Sequence, residues 1–413
     1  MKRFVCIGLL VLLFHSANAQ AADKYVRKGA SGTGTSWADA YGELSSVSWS
    51  GMGGSTLWIA AGSYTTGLPS LGIAGVTIKR ATVASHGTST GWSNAYDNQV
   101  TVTPNSGTNF LVINSSADNL VLDGAAFSPW KFRIVGVRGF NGMLRNDGAD
   151  NVVIRGLEFD GMGESTSDGG PEDGLRWMGG NNNIIEHNFI HDYRQVGSAH
   201  NDGVQAPSCT NITFRYNIFK NNGQQLFLGD WQWNSQYCNG ISIHHNVFYN
   251  DTNGGSYNSI AFKGTNQGGS YTTRVENNVF NLRGGGKAFS LSDDSSAGCC
   301  NNVANGYFRN NIIYSSAVGH VSYYSHSYNI YYNSSGPSET GSLTSNPLFT
   351  DVANNVYTLQ AGSPAINSGT DLGYTEDFAG ALISPPPDRG AYEFGGIPNQ
   401  TPPSAPTNLR IVP

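Results

Sequence analysis

A short phrase of alternating apolar and polar residues occurs seven times in the middle of the chain. The copies read NLVLDGAAF, NVVIRGLEF, NNIIEHNFI, NITFRYNIF, GISIHHNVF, TRVENNVF and GYFRNNII. They recur every 29 to 33 residues, as their closing apolar residues show: Phe127, Phe159, Ile190, Phe219, Phe248, Phe280 and Ile313. Such a period indicates structural units that bury their apolar faces by stacking on one another.

The alternation inside each copy has a period of two residues, which predicts a β-strand. In GISIHHNVF, every second residue from Ile241 to His245 is expected to point inward, until Asn246 ends the strand. His244 is expected to face outward, and the inward His187 and His245 are expected to be packed, hydrogen-bonded residues. No copy shows helical spacing, which argues against helical solenoids of similar period.

Further apolar segments lie between the copies and predict a second series of strands: GLRWMG, GVQAPS, QLFLGD, SIAFKG and AFSLSD. Each coil of about 30 residues would then hold two or three short strands separated by bends. Successive coils would pair in parallel, about 4.8 Å apart.

An asparagine occupies the same place in five successive copies. Asparagine tolerates a left-handed backbone and can hydrogen-bond its own main chain, which suits a sharp bend between strands. Stacked coil on coil, these side chains could form an internal amide ladder. The series is Asn188, Asn217, Asn246, Asn278 and Asn311.

Repeats, bends and the asparagine series together resemble the right-handed parallel β-helix of the pectin-lyase-like superfamily, over about residues 50–335. The resemblance implies an all-β solenoid of roughly nine to eleven coils with an N-terminal cap. It also implies a site in a groove on one long sheet face, walled by loops. The insertions at residues 161–171 and 230–240 are the predicted walls.

The two ends of the chain differ from the repeats. Lys2 and Arg3, the apolar run IGLLVLLF and an A-x-A site ending at Ala19 predict a signal peptide, and so a secreted, periplasmic or cell-surface protein. The segments TSNPLFTD, DFAG and PPDRGAYEF resemble the C-terminal region of exported bacterial β-helix proteins, which completes and caps the last coils. We predict a signal peptide at 1–19, a cap at 20–50 with a helical turn near Ser36, the β-helix at 51–335, C-terminal coils and cap at 336–396, and a Pro-rich tail at 397–413.

Composition narrows the class of partner. Without Lys2 and Arg3, 21 basic residues face 29 acidic ones, which argues against nucleic acid and anionic membranes. No later apolar run is long enough to cross a membrane. The polar surface, with 20 Tyr and 8 Trp in the chain, suits a polysaccharide. We expect a monomer.

Four cysteines follow the predicted signal peptide. Cys209 and Cys238 lie 29 residues apart in the same register, so adjacent coils would bring them together in a disulfide. Cys299 and Cys300 are neighbours, and the sequence does not assign their state. No Cys-x-x-Cys pair recurs, which argues against a zinc site.

Polar residues interrupt the second strand series, and we expect the functional site there. Asp173 and Asp202 head the matching segments EDGLR and NDGVQ, 29 residues apart. Stacked carboxylates repel one another unless a proton or a cation lies between them. Calcium accepts oxygen ligands of varied number and geometry. Asp173, Asp202 and Asp230 are therefore the predicted ligands of a Ca²⁺ ion.

The remaining site residues are assigned by chemical type. Lys263, His200 and Arg176 are the predicted catalytic residues, and Gln205, Trp231 and Trp233 are predicted to contact the substrate. Each has a structural alternative: Asp-Gly pairs form turns, charged side chains on a sheet face can be merely solvated, and tryptophans can close a loop core.

Three functions stay open at this point. In a polysaccharide lyase, Ca²⁺ or Arg176 neutralises a uronate carboxylate, and Lys263 or His200 removes the adjacent carbon-bound proton. In a glycoside hydrolase, two carboxylates act on the glycosidic bond, with Asp202, Asp230 and Asp293 as candidates. Asp293 and Asp294 resemble the paired aspartates of polygalacturonase-like hydrolases, but the Asn-x-Asp and Gly-His-Gly elements of that family are missing. A non-catalytic glycan-binding or cell-surface module is the third. The lyase fits the mixture of side chains best.

Overall fold

The chain forms a right-handed parallel β-helix, seen in a computed structural model that describes residues 22–127, 129–137, 142–163, 173–194, 201–229, 238–251, 258–263, 272–283, 286–292 and 306–396. Within these residues, three parallel sheets of 11, 10 and 8 strands run along the solenoid. About eight turns carry all three sheets. The predicted fold class is confirmed.

The strands of each sheet follow one another in chain order. The first sheet contains Lys24–Val26, Thr56–Ile59, Thr77–Arg80, Val121–Asp123, Val153–Arg155, Ile184–Glu186, Thr213–Arg215, Ser242–His244, Thr273–Glu276, Gly306–Arg309 and Ser325–Ser327. The second contains Gly62–Tyr64, Val100–Val102, Phe132–Val135, Glu158–Asp160, Phe189–His191, Ile218–Lys220, Val247–Tyr249, Val279–Asn281, Ile312–Tyr314 and Ile330–Tyr332. The third contains Leu111–Ile113, Leu144–Asn146, Leu175–Trp177, Val204–Ala206, Gln224–Leu228, Asn258–Lys263, Lys287–Ser292 and Ala317–Gly319.

The remaining elements are short. Cys209–Thr210 pairs with Cys238–Asn239 in parallel, and Phe349–Asp351 pairs with Val356–Leu359 in antiparallel orientation. An α-helix spans Val83–His86, and 3-10 helices span Leu44–Ser46, Asn94–Asp97 and Val321–Tyr323. The first 3-10 helix lies later than the helical turn expected near Ser36. Among the described residues, no helix has the length and apolar character that a membrane crossing needs.

From the second copy onward, each repeated phrase holds two strands and the corner between them. In GISIHHNVF, the first-sheet strand ends at His244, His245 has a φ of 52°, and the second-sheet strand begins at Val247. His187 takes the same place two turns earlier in the series, with a φ of 53°. The expectation that His187 and His245 occupy inward strand positions is therefore wrong, because they form the left-handed corner.

The asparagine ladder is confirmed. Each amide oxygen accepts hydrogen bonds from the backbone N–H and the side-chain amide of the previous asparagine, as Asn278 does from Asn246 at 2.9 and 3.1 Å. The ladder continues beyond the predicted five to Asn329. It ends at Glu339, whose buried carboxylate accepts from the Asn329 backbone N–H at 2.8 Å and its side-chain amide at 2.9 Å.

The ladder asparagines do lie at a bend between strands, but the prediction that they adopt the left-handed conformation themselves is wrong. Their backbones are not left-handed; the residue before each of them is, as at Tyr216 before Asn217. Left-handed asparagines form a different row, at the start of the first-sheet strands. They are Asn119, Asn151, Asn182 and Asn211, joined by amide hydrogen bonds of 3.2 to 3.4 Å.

Aromatic side chains stack inside the coil. Phe219, Phe248 and Phe280 are fully buried, with ring centroids 5.0 Å apart at each step and nearly parallel planes. Because each ring fills the same place in its turn, the apolar core repeats with the turns.

The C-terminal segment, residues 336–396, turns back along the outside of the solenoid. Thr340 and Leu343 first pair with the last strands of the first and second sheets. Phe349, Tyr357 and Leu359 then pack on the outer face of the second sheet. The part of that face that they bury contains Val247, Val279, Ile312 and Ile330.

Candidate functional site

The outward row of the third sheet carries the predicted polar residues. Arg145, Arg176 and Gln205 are register partners on three consecutive strands. Apolar residues flank this row on the inward side, as Leu144, Leu175 and Val204 do. Two guanidinium groups and an amide therefore follow one another along the sheet, one per turn, about 4.8 Å apart.

The chain segments that enter and leave the third sheet are long. From Val153 onward, the corner between the first and second sheets takes only two residues, such as Tyr216 and Asn217. By contrast, residues 161–174 and 192–203 lead into the third sheet, and residues 229–237, 264–272 and 293–305 follow it. Connections of unequal length on an otherwise regular scaffold are typical of a binding groove.

Asp173 and Asp202 lie together, as their matching segments predict. The Asp202 backbone N–H donates to Asp173 Oδ1 at 3.0 Å, and the Arg176 guanidinium lies 3.6 Å from Asp173 Oδ2. Asp202 is completely buried, and neither of its carboxylate oxygens has a hydrogen-bond partner among the described residues. Burial and the Asp173 charge raise the pKa of Asp202 well above its ordinary value, against the opposing effects of the Gln224 backbone and Arg176.

Arg176 is held in place by its surroundings. Its side chain is 10% exposed, and Gly142, with a φ of 91°, lies so close that a Cβ there would be 2.8 Å from the Arg176 Cβ. Arg145 is more exposed and pairs with Asp147 at 2.5 Å. Arg176 is therefore the ordered member of the row, and Arg145 the accessible one.

Lys263 is not close to Arg176. It ends the strand Asn258–Lys263, three strands further along the third sheet. At 4.8 Å per strand the two backbones are about 14 Å apart. The Lys263 side chain lies outside the described residues. So do His200, Asp230, Trp231, Trp233, Asp293 and Asp294.

The predicted disulfide is confirmed. Cys209 and Cys238 are joined, and they are register partners in adjacent turns. Cys209 follows the third-sheet strand Val204–Ala206 closely, so the bond fixes the exit of the chain from the sheet that carries Gln205. Cys299 and Cys300 lie outside the described residues.

A group of ionised side chains on the outer face of the second sheet was missed by the sequence analysis. We call it the charge network: Arg133, Glu158, Asp160, His191, Asp192, Arg194, Lys220 and Asp251. Arg133 pairs tightly with Asp160, and Lys220 lies 3.5 Å from Asp192 and 3.4 Å from Asp251. Glu158, Asp160 and His191 also approach one another, with one side-chain oxygen or nitrogen of each lying within 4.8 Å of the others.

His191 lies at the centre of the charge network. Its Nδ1 is 2.8 Å from Asp192 and its Nε2 is 3.2 Å from Glu158. Burial alone would lower the pKa of His191, but hydrogen bonds to Asp192 and Glu158 and the charge of Asp160 raise it above its ordinary value. The Phe189 ring stacks on the imidazole at 4.0 Å.

One signal in the sequence marks the charge network. The residue after the closing apolar residue of each phrase is Asp160, His191 or Lys220 in three successive copies. In later copies that position holds Tyr249, Asn281 and Tyr314. A change from ionised to largely aromatic residues at one register position indicates a change in what covers the face.

The other histidines of the repeats are packed outside the groove. His187 stacks between Phe127 and Tyr216, and His245 lies beside Tyr374 of the C-terminal segment. Burial lowers the pKa of His187 to about 4 and that of His245 to about 3. His244 faces outward as expected and is covered by Tyr374. These neutral rings therefore stabilise a corner and the packing of the C-terminal segment.

Comparisons with known proteins give structural similarity only. No protein-family description matches the chain, and no curated sequence matches it significantly. It is similar to pectate lyase Pel9A, with 13% identity, 91% of this chain and 98% of that chain covered, and a TM-score of 0.48. An alginate lyase from Paenibacillus sp. str. FPU-7 has 12% identity, coverage of 68% and 96%, and a TM-score of 0.40. The catalytic domain of a GH87 alpha-1,3-glucanase has 12% identity, coverage of 78% and 57%, and a TM-score of 0.38. Similarity at this level assigns no activity.

Proposed function

We propose that this protein binds a uronate-containing polysaccharide along the third sheet and cleaves it by β-elimination. The observation that carries the proposal is the consecutive placement of Arg145, Arg176 and Gln205 on the outward row. Guanidinium groups form paired, charge-assisted hydrogen bonds with carboxylates, and an amide suits sugar hydroxyls. A chain with one carboxylate per sugar would match a row that offers cations on neighbouring turns.

The proposed chemistry begins with charge neutralisation by Arg176. Binding of the uronate carboxylate makes the hydrogen on the adjacent carbon more acidic. A base removes this proton, the carbon–hydrogen electrons form a carbon–carbon double bond, and the glycosidic oxygen leaves and is protonated. We assign the base to His200, which precedes Asp202 by two residues in the sequence. Lys263, about 14 Å from Arg176, belongs to a neighbouring subsite.

Asp173 and Asp202 are the proposed holders of the Ca²⁺ ion. Two buried carboxylates side by side need a proton or a cation between them, and the oxygens of Asp202 have no hydrogen-bond partner among the described residues. Oxygen donors of this kind suit calcium. When bound, the ion would add positive charge beside Arg176 and so favour binding of an acidic sugar.

The burial of Asp202 argues against one of the three hydrolase candidates, and the other two, Asp230 and Asp293, lie outside the described residues. A hydrolytic acid or nucleophile must contact the glycosidic bond, and the carboxylate of Asp202 is wholly buried. The glycan-binding module uses the same arginine row and needs no base. Activity measurements therefore distinguish a lyase from a glycan-binding module.

The test is incubation with a panel of uronate polysaccharides, with Ca²⁺ or with a chelator. Ultraviolet absorbance of the unsaturated product supports a lyase, and binding without product identifies a module. New reducing ends without absorbance identify a hydrolase. Arg176→Gln should lower kcat/KM by about 10- to 100-fold, since it removes a charged hydrogen-bonding partner. Arg274→Gln, at an exposed arginine of the first sheet, is the matched control.

A further inference from the structure

The charge network lies where two groove connections begin. Asp160 Oδ1 accepts from the Met162 backbone N–H at 2.7 Å, and the Gly163 N–H donates to the Asp192 carbonyl at 3.0 Å. Arg194 donates to Asp192 at 3.2 Å. Residues 161–163 and 192–194 therefore start from a common set of ionised side chains. The chain then leads to Asp173 and Asp202 respectively.

Three carboxylates lie around the His191 ring in the described structure: Asp192 at 2.8 Å, Glu158 at 3.2 Å and Asp160 at 3.8 Å. A protonated ring would place a positive charge among them. An imidazolium would also donate from both ring nitrogens, to Asp192 and Glu158. A neutral imidazole donates from one nitrogen only, so it would leave one carboxylate contact without a proton.

Tyr193 connects the network to the groove residues. It follows Asp192 directly and is fully buried. Its ring lies against Gly174, where a Cβ would be 3.1 Å from Tyr193 Cε2. Gly174 is the neighbour of Asp173, and the charges of Asp160 and Asp173 both act on the Tyr193 hydroxyl. A displacement at Asp192 would therefore reach the Asp173 side of the groove through one packed ring.

We infer that His191 is a positioning residue of the groove, because as an imidazolium it joins the starts of the two connections that lead to Asp173 and Asp202. This inference rests on the proposed function for its effect on substrate. Every charged group that the described structure places around His191 takes part: Glu158 and Asp160 from the preceding strand, Lys220 from the following one, and Asp192 from its own turn. Loss of the proton would loosen both connections, so substrate affinity should fall as pH rises through the His191 titration.

The experiment uses the full chain and two readouts, from about pH 5 to pH 9. Hydrogen-exchange protection of residues 161–163 and 192–194 reports on the connections without any substrate. KM for the cleaved polysaccharide, separated from kcat, reports on the groove. The variants are His191→Gln, which is never charged, and His191→Lys, which is charged throughout. His320→Gln, at a histidine near the end of the third sheet, is the control.

We expect wild-type protection to fall roughly tenfold with rising pH, with KM rising in parallel. Protection should be low at all pH values in His191→Gln and high at all values in His191→Lys, and His320→Gln should behave as wild type. The same pH response in His191→Gln would overturn the inference. A response abolished by a chelator would also overturn it, since a bound metal ion would then join the connections. If protection responds as expected but no polysaccharide is cleaved, the proposed function fails and the role of His191 in holding the connections stands.

Discussion

The outer face of the second sheet has two halves. Their strands pair in the same register, but different groups cover them. In the charged half, Asp160, His191 and Lys220 are register partners on consecutive strands. In the covered half, the same position is taken by Tyr249, and the neighbouring outward row holds Val279 and other apolar residues. The C-terminal segment packs on the second half, from about Ile218 onward.

The difference shows that position in the coil alone does not decide whether a face is covered. Both halves rest on the same stacked core and the same asparagine ladder. The covered half gains stability from apolar area removed from water. The charged half gains less from that source, and its ionised side chains lie beside the connections that border the groove.

The largest expected effect comes from placing a charge in the covered half. Val279→Asp puts a carboxylate at a position with no solvent exposure, beneath the turn at Gly390. We expect the free energy of unfolding to fall by about 3 to 5 kcal/mol, and residues 336–396 to become sensitive to protease. Urea unfolding and limited proteolysis measure both. Val83→Asp, at an exposed valine, should change little. A wild-type unfolding midpoint for Val279→Asp would show that the segment does not seal this face.

Removing one ladder asparagine in each half tests whether the ladder contributes equally to stability in both halves. Asn278→Ala removes the acceptor of the Asn246 amides, and Asn188→Ala removes that of the Leu157 N–H. Each should cost about 2 to 4 kcal/mol, because buried donors lose their partners. Asn105→Ala, at an exposed position, is the control. If only one of the two ladder variants unfolds more easily, the halves differ inside as well as outside.

A smaller effect concerns pH in the covered half. Burial, with the charges of Asp388 and Asp377, raises the pKa of Glu393 from 4.5 to about 7, despite a hydrogen bond from Asp388. The folded-state pKa is the higher one, so stability is lost as pH rises between these values. Glu393→Gln keeps the side chain neutral and should add about 1 kcal/mol at pH 8 and nothing at pH 4. Thermal unfolding at the two pH values measures this. An equal gain at both would mean that the ionisation of Glu393 is not the cause.

The smallest effect is expected in the charged half. Arg133→Gln removes ion pairs to Glu158 and Asp160, but the arginine side chain is 36% exposed. The cost should stay below about 1 kcal/mol and shrink at high salt. Arg274→Gln controls for the loss of a surface charge. A cost that persisted in high salt would show that Arg133 acts through packing.

The inside of the coil was largely predictable from the sequence, because burial there leaves a regular pattern. The period of the phrases, the ladder from Asn188 to Asn311 and the pairing of Cys209 with Cys238 all follow from stacking equal turns. The corner was misassigned at His187 and His245. Alternation alone cannot distinguish the last residue of a strand from a left-handed residue that follows it.

The outside was predictable only in part. Arg176 and Gln205 stand out in their strands, and the structure places them on adjacent turns. Lys263 stands out equally, yet three strands separate it from Arg176, since similar segments give no measure of distance along the solenoid. The charge network was missed because its members belong to strands that read as structural repeats. Its exposure depends on which outer faces the C-terminal segment leaves uncovered, and that is a contact between distant parts of the chain.

Glu339 ends the asparagine ladder in a way that does not depend on the number of turns before it. Along the ladder, each asparagine donates to the next asparagine, whichever turn supplies it, and Glu339 serves as the last acceptor, for Asn329. The side-chain amides also donate to backbone carbonyls, as Asn246 does to Phe214. Excision of residues 246–277 would bring Asn278 to the place of Asn246, next to Asn217, without any new kind of contact. A whole turn could therefore be added or removed between Leu157 and Glu339 while both ends of the ladder stay unchanged. The groove would lengthen or shorten by one strand with each such event.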